Sequence, residues 1–135
     1  MQDRLKIRVW DKRKNKYIED FVFNFINKSP YITVEYFDNE YAYTHTFEED
    51  EIIIEQCTGL KDKNDKLIYD GDLIKEPANK YPLEIYYDKG AWQTREYRKK
   101  GNNEQLLYVL INCYGVEVIG NIHENPDLLE SNNEM

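Results

Sequence analysis

Few residues in this sequence are of a type and spacing that could do chemistry. Asp70 and Asp72 form a carboxylate pair around Gly71. A general acid and base would need such a pair in a cleft, with their pKa values pushed apart. In an Asp-Gly-Asp corner the same carboxylates bond turn amides while the glycine takes positive φ, and that is the expectation here. The two histidines do not converge with other ligands. His45 shares a period-two face with Tyr43 and Phe47, and His123 precedes Glu124 with no second histidine at metalloprotease spacing. Cys57 and Cys113 fit neither a metal nor a redox motif. They are expected as two small buried side chains, with a Cys57–Cys113 disulfide as the alternative. Neither a nucleophile elbow nor a phosphate-cradling glycine loop is present. The expectation is a noncatalytic protein, with no catalytic residue, no metal and no cofactor.

Charge offers one candidate binding segment. The net charge of −8 is unevenly spread. Residues 1–18 carry seven Lys or Arg against two Asp, whereas residues 19–60 carry ten acids against Lys28 alone. Residues 101–135 carry six acids and no Lys or Arg. Phosphate binding needs clustered cations to displace counterions, and Arg4, Lys6, Arg8, Lys12, Arg13, Lys14 and Lys16 are such a cluster. The even spacing of Arg4, Lys6 and Arg8 also suits the solvated face of a strand whose inner face is Leu5, Ile7 and Val9. Nucleic-acid association through this segment is therefore the alternative reading, behind protein binding. The acidic run Glu48–Glu51 reads as a solvated loop.

The elements that must position these residues read as strands. Apolar residues make up 41% of the chain and include 12 Tyr, enough to form a core in 135 residues. Leu5–Trp10 alternates, and Tyr17-Ile18 starts its return strand after the polar turn Asp11–Lys16. Phe21–Ile26 is apolar, and Asn27–Pro30 breaks it. Residues 31–37 and 41–47, β-branched or aromatic at almost every position, flank Asp38-Asn39-Glu40 as a hairpin. Ile52–Ile54 is a short apolar strand. Further strands are expected over Asp72–Lys75, Leu83–Tyr87, Ala91–Thr94 and Val116–Ile119, with Asp88-Lys89-Gly90 as a hairpin turn. The run Leu106–Ile111 fits a buried strand or a helix segment, and strand is favoured. Tyr97–Asn103 reads as an exposed loop. Asn125-Pro126-Asp127 starts a helical turn, with Asn as N-cap and Leu128 and Leu129 tucked inward; residues past Glu130 fray. No glycine occurs in the first 58 residues and all six lie from Gly59 onward, which suits a meander of short strands in the second half.

Two segments carry a denser signature. One runs Thr58-Gly59-Leu60-Lys61-Asp62-Lys63-Asn64-Asp65 and on through Ile68-Tyr69-Asp70-Gly71-Asp72. The other is Val118-Ile119-Gly120-Asn121-Ile122-His123-Glu124-Asn125-Pro126-Asp127-Leu128. With the opening Arg8-Val9-Trp10-Asp11, they resemble the YopX family of phage and prophage proteins. Asp65 stands where that family usually has Gly, and Asp70 where it usually has Glu. The resemblance implies an SH3-like small barrel in the later part, a phage or prophage origin and a bacterial cytoplasm as the setting. It assigns no activity and carries over no catalytic or binding residue.

Together these readings give an all-β protein: an N-terminal β segment over residues 1–55, an SH3-like small barrel over 56–130 with a short C-terminal helical turn, and a tail over 131–135. The longest apolar run is too short to cross a membrane, and the charged start Met1–Lys6 has no apolar signal region, so a cytoplasmic protein without membrane contact is expected. Its tyrosines are too many for one small core. Tyrosine joins apolar area to a polar tip and is enriched at interfaces. The expected partner is a host or phage protein, or a second copy of the chain.

Overall fold

The computed structural model describes residues 5–18, 21–25, 31–38, 41–77, 81–96 and 104–130. The fold is mostly β, with antiparallel sheets, one of them curled as a half-barrel, and two short helices. The chain divides into two compact units, Arg8–Glu55 and Met1–Ile7 with Gln56–Met135. The residues just before Arg8 belong with the C-terminal unit because the Cys57 amide donates to the Lys6 carbonyl at 2.9 Å. Arg4, the break at Asn27–Pro30, the hairpin tip Asn39-Glu40, the loop Tyr97–Asn103 and the tail lie outside the described residues.

In the N-terminal unit, β1 (Ile7–Asp11) pairs with β2 (Lys16–Tyr17), Trp10 opposite Tyr17. The Asp11 carboxylate shapes the connecting turn by accepting from the Arg13 amide at 2.9 Å, and Asn15 closes it at φ 52°. The expected inner face of β1 needs correction at one end. Val9 is fully buried, but Leu5 precedes the strand and is 75% exposed. A meander follows: β3 (Phe21–Phe25), β4 (Tyr31–Asp38) and β5 (Tyr41–Glu48). Its register forms three rows across the sheet, Phe21–Tyr36–Tyr43, Phe23–Val34–His45 and Phe25–Ile32–Phe47. The acidic run is more ordered than a solvated loop. Glu49–Glu51 makes a single 3-10 turn, and Glu51 accepts from the Lys12 amide through its carbonyl and pairs with Arg13 at 3.2 Å.

The short strand expected over Ile52–Ile54 is the start of a ten-residue strand, β6 (Ile52–Lys61). Past Gln56 it pairs with β7 (Leu67–Tyr69), with a register shift between Cys57 and Lys61 where Gly59 sits at φ 80°. The remaining strands are β8 (Asp72–Lys75), β9 (Leu83–Asp88), β10 (Ala91–Glu96), β11 (Gln105–Leu106) and β12 (Glu117–Asn121). They order as β11-β10-β9-β8-β12. The first strand of this set thus lies between the second and the fifth, as in SH3-like barrels. Lys89 and Gly90, both at positive φ, make the two-residue turn between β9 and β10, the twist that hairpins favour.

The favoured strand over Leu106–Ile111 is corrected: only Gln105–Leu106 is strand, and α1 (Leu107–Cys113) follows. Leu107 and Leu110 are buried and Ile111 half-buried, the i, i+3, i+4 stripe of an amphipathic helix. Gly115, at φ 74°, ends the helix, its amide donating to the Leu110 carbonyl at 3.0 Å. The stripe packs on Ile68, Ile74, Leu83, Ile85 and Val116, the core of this unit. Removing Leu110, nearly fully buried, would cost about 3 kcal/mol by cavity formation.

Candidate interaction surface

The signature residues turn out to be corners. Asp62, buried, accepts from the amides of Asn64 at 2.8 Å, Lys66 at 2.9 Å and Val118 at 2.9 Å. Two of those bonds shape its own turn, and the third ties that turn to β12, 56 positions on. Burial pushes this carboxyl up, but the three amide donors outweigh burial and hold it below its ordinary value. Sequence reading saw only a polar turn here, because a bond to Val118 has no local signal.

In the Asp70-Gly71-Asp72 corner, the glycine and the second carboxylate are placed as expected. Gly71 has φ 85°, and the Asp72 carboxylate, 1% exposed, accepts from the Tyr69 amide at 2.8 Å. In the last corner, the Asn121 side chain accepts from the amides of His123 and Glu124 and donates to the Glu124 carboxylate at 2.8 Å. The N-cap expectation for Asn125 is half right. It precedes α2 (Pro126–Glu130) and its carbonyl accepts from Leu128, but its side chain turns back to accept from the Asn121 amide at 3.2 Å. That oxygen occupies the space a Cβ on Gly120 would need, so glycine is required there.

The basic segment is partly committed to internal pairs. Arg8 bonds Glu55 at 2.8 Å and stacks over Tyr17, whose hydroxyl donates to the same Glu55 oxygen at 2.8 Å. Arg13 bridges Asp11 and Glu51. Lys6, Lys12, Lys14 and Lys16 are exposed, and Arg4 lies outside the described residues. His123 is half-buried, and His45 sits opposite Val34 in the meander. The expectation of two buried cysteines is corrected. Both thiols are free, with Cys57 buried and Cys113 exposed at the end of α1, so the alternative disulfide is absent.

The outward side of α1 is the feature that sequence reading missed. Tyr108 and Tyr114 are 66% and 61% exposed, and Leu106 and Val109 are also exposed. No residue from Gln105 to Val116 is charged, in a chain with 33% charged residues. A run expected to be buried as strand instead divides, burying one stripe and presenting the other. The i, i+3, i+4 spacing ending in Gly115 was the available signal. Tyr87 adds a further exposed ring on β9, edge-on to Trp92 at 5.1 Å, so the consecutive Tyr86 and Tyr87 differ in exposure as strand alternation requires. Half-buried Tyr86 has its hydroxyl pushed up by burial and by the Glu104 carboxylate, against the opposing charge of Arg95 stacked on its ring at 4.2 Å.

Among the described residues, no helix is long and apolar enough to cross a membrane. No curated protein matches the chain. Among solved structures it is similar to the crystal structure of protein EF1440 from Enterococcus faecalis, at 28% identity and a TM-score of 0.60, covering 93% of this chain and 97% of that one. The YopX protein family matches residues 6–130, which include all three signature segments in order. The chain belongs to the YopX family.

Proposed function

We propose that the protein is a noncatalytic binding module of phage or prophage origin, acting in the bacterial cytoplasm on a host or phage protein or on a second copy of itself. The observation that carries this reading is the uncharged, tyrosine-bearing outer side of α1. Its four large side chains offer on the order of 400 Å² of apolar surface, comparable to the largest patch on an ordinary monomer and often functional. That is short of the roughly 800 Å² per partner of a stable interface, so the contact suits a transient complex or one part of a larger one. Tyrosine gives such contacts area and a hydrogen-bonding tip at low entropic cost. The signature residues support the reading indirectly, since their carboxylates and amides are used in holding corners.

The test is capture from bacterial lysate by the tagged chain, split into nuclease-treated and untreated halves, beside a Tyr108→Ser/Tyr114→Ser variant. A protein retained after nuclease by the wild type and lost by the variant supports the reading, and its purified form should then bind directly. A partner that disappears with nuclease, with salt-sensitive binding removed by changing Lys12, Arg13 and Lys14 to Ala, would replace it with nucleic-acid association.

A further inference from the structure

The outer side of α1 carries an inference about its partner, which rests on the reading just given. Seven residues make a helix about 10 Å long. Leu107, Leu110 and Ile111 turn to the core. Tyr108, Val109, Asn112 and Cys113, at i, i+1, i+4 and i+5, are exposed on the opposite side, and Tyr114 is exposed just beyond them. None of these is charged. The nearest charges along the chain are Glu104 and Glu117. From Glu104 to Glu130 the only charged residues are the acids Glu104, Glu117, Glu124, Asp127 and Glu130.

We infer that this side of α1 docks a short amphipathic segment of another protein, apolar along one face and bearing Lys or Arg at its flanks. Charge argues for this occupant. The acids that flank α1 favour cations, whereas two copies meeting through α1 would set acid against acid. Glu117 pairs with Lys63 at 3.5 Å, but both side chains stay about half exposed, where such a pair holds little. The helix adds to this field. It has no basic residue in its last turn, so its carbonyl end presents partial negative charge beside Cys113 and Tyr114. The ring faces of Tyr108 and Tyr114 attract Lys and Arg as well. Area agrees, since about 400 Å² falls short of one partner's share of a stable dimer and suits a segment of two or three helical turns. The chain's own basic turn, Lys12–Lys16, is exposed throughout but has no apolar residue, so a second copy does not supply such a segment there.

Titration of the full chain with two synthetic helical peptides tests this, one with Leu on one face and Lys on the other, the second with Glu in place of Lys. The Leu/Lys peptide should bind and the Leu/Glu peptide should not. A shuffled Leu/Lys sequence without an apolar face should bind at least about tenfold more weakly. Tyr108→Ser/Tyr114→Ser should weaken the Leu/Lys peptide by about tenfold or more. The two free thiols give a footprint on the unaltered chain. Bound peptide should slow alkylation of the exposed Cys113 several-fold, with the buried Cys57 as the reference. Absence of binding would overturn the proposal. So would Leu/Lys binding that survives both tyrosine changes and leaves Cys113 open to alkylation. Equal or tighter binding of the Leu/Glu peptide would overturn it too, and the binding-module reading would stand if the tyrosine changes abolished that binding. Lysate capture unaffected by the tyrosine changes would remove the reading and the proposal together.

Discussion

The two units hold their shapes by different means. The C-terminal unit relies on corners, in which buried carboxylates and amides bond backbone N–H groups and four glycines adopt positive φ. The N-terminal unit has no glycine at all. Strand pairing, the Asp11 turn and the Arg8–Tyr17–Glu55 cluster define it, with Trp10 edge-on to Tyr17 at 5.0 Å. Corners made from side-chain-to-backbone bonds demand particular residues, because only a short acceptor reaches the amide and only glycine avoids a clash. Paired strands demand only a pattern, which many residues satisfy. The two denser signature segments, over residues 58–72 and 118–128, lie in that corner-built unit.

That contrast predicts a graded response to substitution. The largest effect belongs to Asp62→Ala. It leaves three amides, two of turn and one of β12, without their acceptor, and should cost about 3 kcal/mol in chemical denaturation. The same carboxylate gives the stability a pH signature. Its folded pKa lies below its ordinary value, so its contribution is complete above the unfolded value of about 4 and is lost as pH falls through the folded pKa. Asp62→Asn should flatten that acid limb, and an unchanged limb would assign it to other carboxylates. Gly120→Ala should come next, at about 2 kcal/mol, since the new Cβ displaces the Asn125 side chain from the Asn121 amide. A neutral Gly120→Ala would mean that the corner yields.

Glu55→Ala probes the other unit, removing the shared acceptor of Arg8 and the Tyr17 hydroxyl. About 1.5 kcal/mol is expected, since Arg8 keeps some contact with water. A loss larger than that of Asp62→Ala would reverse the contrast between the units. The smallest effect has the opposite sign. Asp65 sits at φ 65°, in the left-handed region that favours glycine. Asp65→Gly should raise stability by about 0.5 kcal/mol through relief of that backbone conformation, less the exposed Lys61–Asp65 pair and the added freedom of the unfolded chain. Thermal melts would show a rise of a few degrees at most.

Most strands were legible from the sequence because their signals are local. The alternation of Ile7 and Val9 with Lys6 and Arg8, the Lys89-Gly90 turn and the Gly71 corner each announce themselves within a few residues. What was not legible depended on partners far along the chain. Asp62 reads as an ordinary turn acid until Val118 is beside it, and Leu5 reads as an inner strand residue until the strand is seen to begin at Ile7. The α1 surface was hidden for another reason. Six consecutive apolar residues fit a strand as well as a helix, and the Leu107, Leu110, Ile111 spacing before Gly115 was a weak signal until the burial of Leu107 and Leu110 with exposure of Tyr108 and Val109 showed the run to be helical and two-sided. The cysteines, likewise, carry no sequence signal for which of them faces water.

The central claim is that the signature corners hold the shape while the outer side of α1 makes the contact. Capture from nuclease-treated lysate by Tyr108→Ser/Tyr114→Ser, measured beside its melting temperature, tests it most directly. Its melting temperature should stay within a few degrees of the wild type, and the captured protein should be lost. A variant that retains the partner in full would contradict it, and would place the binding surface elsewhere on the molecule.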